Sequence, residues 1–337
     1  MTTTESPKVS RLSWRRIGWV LLAVVTSLVI AYVVWTPGIA GPLPADRMHG
    51  AWLTHAWWGD EAWFADSERK RVDYFGKEKA KALAERLHGI GVRDWYIHGG
   101  PARANGSLPL IDVDQARLLV EANRGGQVLA WVGGVLDHHC FPDDAEWRTA
   151  FARSCSDLVR RSGIAGIQLN IEPCASFTEG YLELLEDLRK AMPNGARLSV
   201  AAYPPSHWLH SAPSVHWSES FVREVSRRSD DLCVMAYDTA QKLPKPYTYL
   251  VARWTRQVIA WSEKPVRIGL PAYAEFGKPW HHPHVENLRH ALPGLAAGLK
   301  DSDLTRYAGW AVYAEWTMTD RDMETLRLFQ PVVVSDP

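Results

Sequence analysis

The sequence predicts an α/β architecture, a (β/α)8 TIM barrel preceded by a single N-terminal transmembrane helix. From Met48 onward, short apolar runs alternate with longer amphipathic ones, the pattern of repeated βα units. Glycine stands where a helix gives way to a strand, at Gly91, Gly163 and Gly195, as a left-handed helix cap requires. The first predicted strand is not followed by the glycine-rich phosphate loop that an open doubly wound sheet usually carries.

The elements follow in order. Residues 1–16 form a basic tail, with Lys8, Arg11, Arg15 and Arg16 against the single acid Glu5. Residues 17–35 contain no charge. As a helix they span roughly 28 Å, enough for a hydrocarbon core and longer than the apolar core of a cleaved signal peptide. The basic flank predicts a signal anchor in the lipid bilayer, with a cytoplasmic N-terminus and everything beyond it periplasmic or extracellular. Cleavage near Gly38-Ile39-Ala40, which would release the protein, is the alternative. Residues 36–46, rich in Pro and Gly, read as a linker before a domain at 47–333.

Within that domain, strands are expected at 50–54, 94–98, 128–132, 166–172, 197–202, 232–237, 266–272 and 309–313. Helices are expected at 77–87, 113–122, 145–161, 179–191, 218–226, 248–262, 285–299 and 320–329. Tyr181, Leu184, Leu185 and Leu188 show the i, i+3, i+4 stripe that packs a helix on a sheet.

Lys+Arg and Asp+Glu both number 38, a balance that gives no reason to expect nucleic acid as a partner. The 17 tryptophans are the anomaly, because several fall in predicted loops where flat apolar faces can stack on sugar rings. The loop 55–74, with Trp57, Trp58, Trp63 and Phe64, reads as one wall of a groove. Loops carrying His207, Trp208 and Trp217, and Trp280, supply others.

Cys140, Cys155, Cys174 and Cys233 lack zinc-ligand spacing. Cys140 and Cys174 follow adjacent strands, so a disulfide between them is plausible in an oxidising compartment. His281-His282-Pro283-His284 and Asp137-His138-His139 have no helical i, i+4 spacing and read as solvated loop histidines, so neither a metal nor a cofactor is expected.

The stretch that organises the chain is 163–173. Ile167, Leu169 and Ile171 alternate with Gln168, Asn170 and Glu172, so the three polar groups share one face of a buried strand. In a parallel barrel that face points to the axis, and Glu172 emerges at the carboxyl-end mouth where such barrels carry their chemistry. Gln168 reads as a hydrogen-bonded filler of the interior. Other strand ends carry Trp131-Val132-Gly133-Gly134, Met235-Ala236-Tyr237-Asp238, Gly269-Leu270-Pro271-Ala272-Tyr273 and Tyr313 with Glu315 and Trp316.

This order resembles the family 18 glycoside hydrolases, the chitinases and endo-β-N-acetylglucosaminidases, which carry SxGG, DxxDxDxE, MxYD and GxPxY at successive strand ends. MxYD and GxPxY are complete here and SxGG keeps its GG. In the central motif Ala165, Gln168 and Asn170 replace the three Asp, and Glu172 remains; the N-x-E pattern is similar to family 85. The resemblance implies cleavage of a polysaccharide or glycan containing N-acetylhexosamine. Glu172 would protonate the glycosidic oxygen while the substrate's own acetamide oxygen attacks the anomeric carbon. Asn170 would accept the acetamide N–H, and Tyr237 would donate to its oxygen. Asp238, Tyr273, Tyr313, Trp316, Trp131, Trp57 and Trp58 would bind the sugars.

With Asn rather than Asp beside it, Glu172 would depend on burial to stay protonated. Two alternatives stand beside this reading. One is a chitinase-like barrel that binds carbohydrate without cutting it. The other is a two-carboxylate glycosidase in which Glu275, or less readily Glu315, serves as nucleophile within about 5 Å of Glu172.

Overall fold

The computed structural model describes residues 14–329 except 42, 45 and 301. The basic tail up to residue 13 and the expected domain end at 330–333 lie outside the described residues. The chain divides into two compact units, 1–37 and 38–337. In the first, α1 (Trp14–Val34) is a 21-residue helix. Its stretch Arg16–Val34 has a mean hydropathy of 2.5, so it is long and apolar enough to cross a membrane.

The second unit is a closed barrel of eight parallel strands in sequential order. The strands are β1 (His49–Leu53), β2 (Val92–His98), β3 (Gln127–Val135), β4 (Gly166–Glu172), β5 (Arg197–Ala202), β6 (Asp231–Met235), β7 (Val266–Pro271) and β8 (Tyr307–Tyr313). A short α2 (Glu61–Asp66) and α3 (Lys77–His88) follow β1, and α4 (Val113–Ala122) follows β2. Then come α5 (Ala145–Ser162), α6 (Tyr181–Ala191), α7 (Glu219–Arg228), α8 (Pro244–Trp261), α9 (Leu288–Leu299) and α10 (Asp320–Phe329). The helix α8 begins four residues before its expected start because Pro244 occupies its first turn, where a missing N–H removes nothing and the fixed φ suits a helix.

Two apolar clusters divide the labour. The larger lies between the strands and the surrounding helices. The smaller fills the barrel itself with Trp52, Tyr96, Leu129, Cys233 and Ala311, and Trp131, Tyr237 and Tyr313 pack above it. Gln168 belongs to this inner layer: its amide oxygen accepts from Trp52 Nε1 at 2.6 Å and its nitrogen donates to Ser199 Oγ at 3.3 Å.

Below it, at the amino ends of the strands, the barrel is closed by charge. Arg197 pairs with Asp94 at 2.7 Å and Asp231 at 2.6 Å, and Arg267 pairs with Asp94 at 2.6 Å. Ser199 Oγ donates to Asp231 Oδ1 at 2.8 Å, which joins the ion network to Gln168.

Candidate active site

The site begins with a close approach between β3 and β4. Gly133 pairs with Asn170 in the ladder, at φ 128°, and a Cβ there would stand 1.9 Å from the Asn170 carbonyl oxygen. Only glycine fits a left-handed backbone with no room for a side chain, so the retained Gly-Gly lets β4 bring its polar face to the axis.

Glu172 ends β4 at the mouth. Its Oε1 accepts from Asn170 Nδ2 at 2.6 Å and its Oε2 accepts from the Tyr203 hydroxyl at 3.1 Å. Burial pushes the carboxyl above its ordinary value and the charge of Asp238 adds to this, while the two hydrogen bonds pull it down. Burial is the largest of these effects, as the missing neighbouring Asp requires. Asn170 is 7% exposed, and its Oδ1 has no hydrogen-bond partner among the described residues.

Tyr237 and Asp238 lie just beyond β6, which ends two residues earlier than expected. Burial and the Glu172 charge push the Tyr237 hydroxyl well above its usual range, so it stays a proton donor. Asp238 sits at φ 57°, a left-handed conformation that Asp adopts more readily than most residues, and its Oδ1 accepts from the Tyr273 hydroxyl. Tyr313 is the floor. It stacks on Tyr237 at 5.2 Å and 13°, and meets Trp131, Tyr273 and Trp316 edge to face. Beside it opens a cleft of about 580 Å3 lined by Trp63, Arg69, His98, Trp131, Tyr313 and Trp316 among others.

Several expectations need correction. Trp58 is fully buried and donates to the His98 carbonyl. Trp57 is buried and donates to Glu315. Both pack the interior instead of facing a sugar, and Trp217 does the same, with its indole N–H on the Cys174 carbonyl. Glu315 is buried in an ion pair with Arg86, which leaves it no role as a nucleophile. Glu275, named as the alternative nucleophile, is exposed after β7 with its charge bearing on the Tyr313 hydroxyl, and Asp238 is the carboxylate whose charge bears on Glu172. All four cysteines are free and buried, with the Cys140 thiol pushed up to about 12 by burial and by Cys174 nearby. His281 is buried, not solvated.

The sequence reading missed Tyr203, a lone aromatic between Ala202 and Pro204 just past β5; its position at a strand end was the available signal. It also missed His98, the last residue of β2, whose imidazole burial lowers to about 4, with His55 adding to the effect, so that it is neutral in the cleft. The contact of His281 with Asp238 had no sequence signal.

An eight-fold barrel that places one carboxyl, shifted toward its protonated form, among aromatic walls at the carboxyl ends of its strands defines a barrel glycoside hydrolase. The chain belongs to the glycosyl hydrolases family 18, whose profile matches residues 64–311. A comparison with curated proteins finds no significant match. Among solved structures, the fold is similar to the spore cortex-lytic enzyme SleL of Bacillus cereus, with TM-score 0.58, 12% identity and coverage of 83% of this chain and 73% of that one. It is also similar to the Group IV chitinase of Ostrinia furnacalis, with TM-score 0.58, 12% identity and coverage of 85% and 100%. A family 18 N-acetylglucosaminidase from Paenibacillus barengoltzii gives TM-score 0.52, 13% identity and coverage of 84% and 100%. At these identities the likeness is one of fold.

Proposed function

We propose that this protein is a membrane-anchored, exported hydrolase that cleaves a glycan containing N-acetylhexosamine, with the substrate's acetamide as nucleophile. The observation that carries this reading is Asn170. Its amide nitrogen is spent on Glu172 while its buried oxygen is left without a donor, and an unpaired buried acceptor costs about 1–3 kcal/mol. The acetamide N–H of a bound sugar supplies the missing donor, which aims the acetamide oxygen at the anomeric carbon.

Glu172 gives its proton to the glycosidic oxygen as that bond breaks. The acetamide oxygen then bonds to the anomeric carbon, and Tyr237 holds the acetamide in place by a hydrogen bond to its oxygen until the attack. Water, deprotonated by Glu172, opens the cyclic intermediate and restores the acid. Asn170 carries no charge, so it orients the acetamide more than it stabilises the positive charge that develops there.

The first test is reducing-sugar release by the full chain in detergent from acetylated and deacetylated oligosaccharides, beside Asn170→Ala. Cleavage confined to acetylated substrate and strongly reduced in the variant is the expected result. Cleavage indifferent to the acetyl group or to Asn170 would overturn substrate assistance, and binding without cleavage would leave a carbohydrate-binding barrel.

The length and hydropathy of α1 support the anchor. The protein should remain in the membrane pellet after alkaline extraction; recovery of a soluble fragment trimmed near residue 40 would replace the anchor with a cleaved signal.

A further inference from the structure

Asp238, whose charge bears on Glu172, also belongs to a second cluster at the edge of the site. His281, just past the loop after β7, and Glu286, shortly before α9, both have side chains with no solvent exposure, whereas Asp238 is 39% exposed. His281 Nδ1 lies 3.2 Å from Asp238 Oδ1 and 3.8 Å from Glu286 Oε2, yet it makes a hydrogen bond to neither.

The other ring nitrogen, Nε2, faces the Tyr273 carbonyl at 3.4 Å, and the Tyr273 ring stacks on the imidazole at 4.0 Å and 16°. In the tautomer with the proton on Nε2, that carbonyl holds it and Nδ1 turns its lone pair toward the two carboxylates. Glu286 is itself fixed, since its Oε2 accepts from the Thr239 N–H at 2.9 Å and its Oε1 accepts from the His282 N–H at 3.4 Å. Three electron-pair donors converge, one of them the buried His281 Nδ1, which has no hydrogen-bond partner among the described residues, and the two carboxylates there call for a positive charge, supplied either by a proton on the imidazole or by a bound cation.

We infer that Asp238, His281 and Glu286 bind one divalent cation of the zinc type, with Asp238 as the ligand on the exposed side. The candidate ligand atoms lie within 4.8 Å of one another, and three ligands at zinc bond lengths stand about 3.3 Å apart, so small side-chain movements close the site. An imidazole nitrogen among the ligands favours zinc over calcium or magnesium, which take oxygen. The Nε2–H held by a backbone carbonyl is the support that metal-binding histidines usually have. Three protein ligands leave a fourth position open. Because Asp238 is the exposed member, that position faces solvent, where a water or a sugar hydroxyl can enter.

The test uses the full chain in detergent, stripped with chelator and titrated with Zn2+ by calorimetry, with bound metal counted by elemental analysis. The expected result is one equivalent in the wild type, at least tenfold weaker binding in His281→Ala, and unchanged binding in His284→Ala, which removes an exposed neighbour as a control. Where His281→Ala does not fold, Glu286→Gln takes its place, and Co2+ substitution reports the ligand set through its visible absorption bands. No stoichiometric uptake, or equal uptake in wild type and His281→Ala, would overturn the site.

Discussion

The two ends of the barrel interior are built from the same kinds of residue and reach opposite outcomes. At the amino ends of the strands, Asp94, Arg197, Asp231 and Arg267 neutralise one another at distances of 2.6 to 2.7 Å. At the carboxyl ends, among the described residues, Glu172 has only neutral hydrogen-bond partners and Asn170 Oδ1 has none. The lower layer spends its charges on one another, although Asp94 Oδ1 is buried there without a hydrogen-bond partner among the described residues, whereas the upper layer gives its acid only neutral partners and holds them ready for a substrate. The lower layer fastens the barrel and the upper one reacts, in keeping with how such barrels divide their two faces.

Substitution at Glu172 should separate the two layers most sharply. Glu172→Gln is expected to lower kcat by about 10^2–10^4, the usual range for a general acid, in a steady-state assay on an acetylated oligosaccharide. Its stability should equal or exceed that of the wild type at neutral pH. The folded-state pKa of Glu172 is raised, so the contribution of this group to stability is complete below the unfolded value and is lost as pH rises through the folded one. The amide never ionises and escapes that loss. A variant with wild-type kcat would end the assignment.

Asp94→Asn should show the reverse pattern. It removes the carboxylate shared by two buried guanidinium groups, and breaking such pairs is worth about 3–5 kcal/mol, read as a lower denaturant midpoint. The kcat per folded molecule should not change. Loss of activity without loss of stability would mean that the lower layer is coupled to the reaction.

The upper half of this division is legible in the chain before it folds, whereas the ion network of Asp94, Arg197, Asp231 and Arg267 joins residues from four strands and leaves no local pattern. The alternation through Gln168, Asn170 and Glu172 requires one polar face, and the Gly-Gly after Trp131 marks where β3 lets that face approach. Tryptophan is less readable. Trp57, Trp58 and Trp316 all sit in connections past a strand, yet two are buried and one lines the cleft. Which of them meets solvent depends on hydrogen-bond partners far along the chain, such as Glu315 for Trp57. Tyr203 and His281 are harder still, because each acts through a residue on another strand or loop: Tyr203 offers only its place past a strand end, and the contact of His281 with Asp238 leaves no local trace.

Tyr203 makes the comparison quantitative in pH. Its hydroxyl stabilises the ionised form of Glu172, so Tyr203→Phe should raise the pKa further. A general acid works while protonated, and the basic limb of kcat/KM should therefore move to higher pH, by about one unit for the loss of a hydrogen bond to a charged group. An unmoved limb would mean that another group sets it.

The smallest effect is expected at the rim. Trp316 meets Tyr313 edge to face at 5.6 Å and lines the cleft without touching the acid. If it acts as a platform for a sugar away from the scissile bond, its contribution is the same in the ground state and the transition state, and removing it raises KM while leaving kcat unchanged. An aromatic contact of roughly 0.5–1.5 kcal/mol corresponds to a rise in KM of about two- to thirteenfold for Trp316→Ala. A fall in kcat of that size at constant KM would place Trp316 in the positioning of the reactive sugar, and the open upper layer would then extend from Glu172 out to the rim.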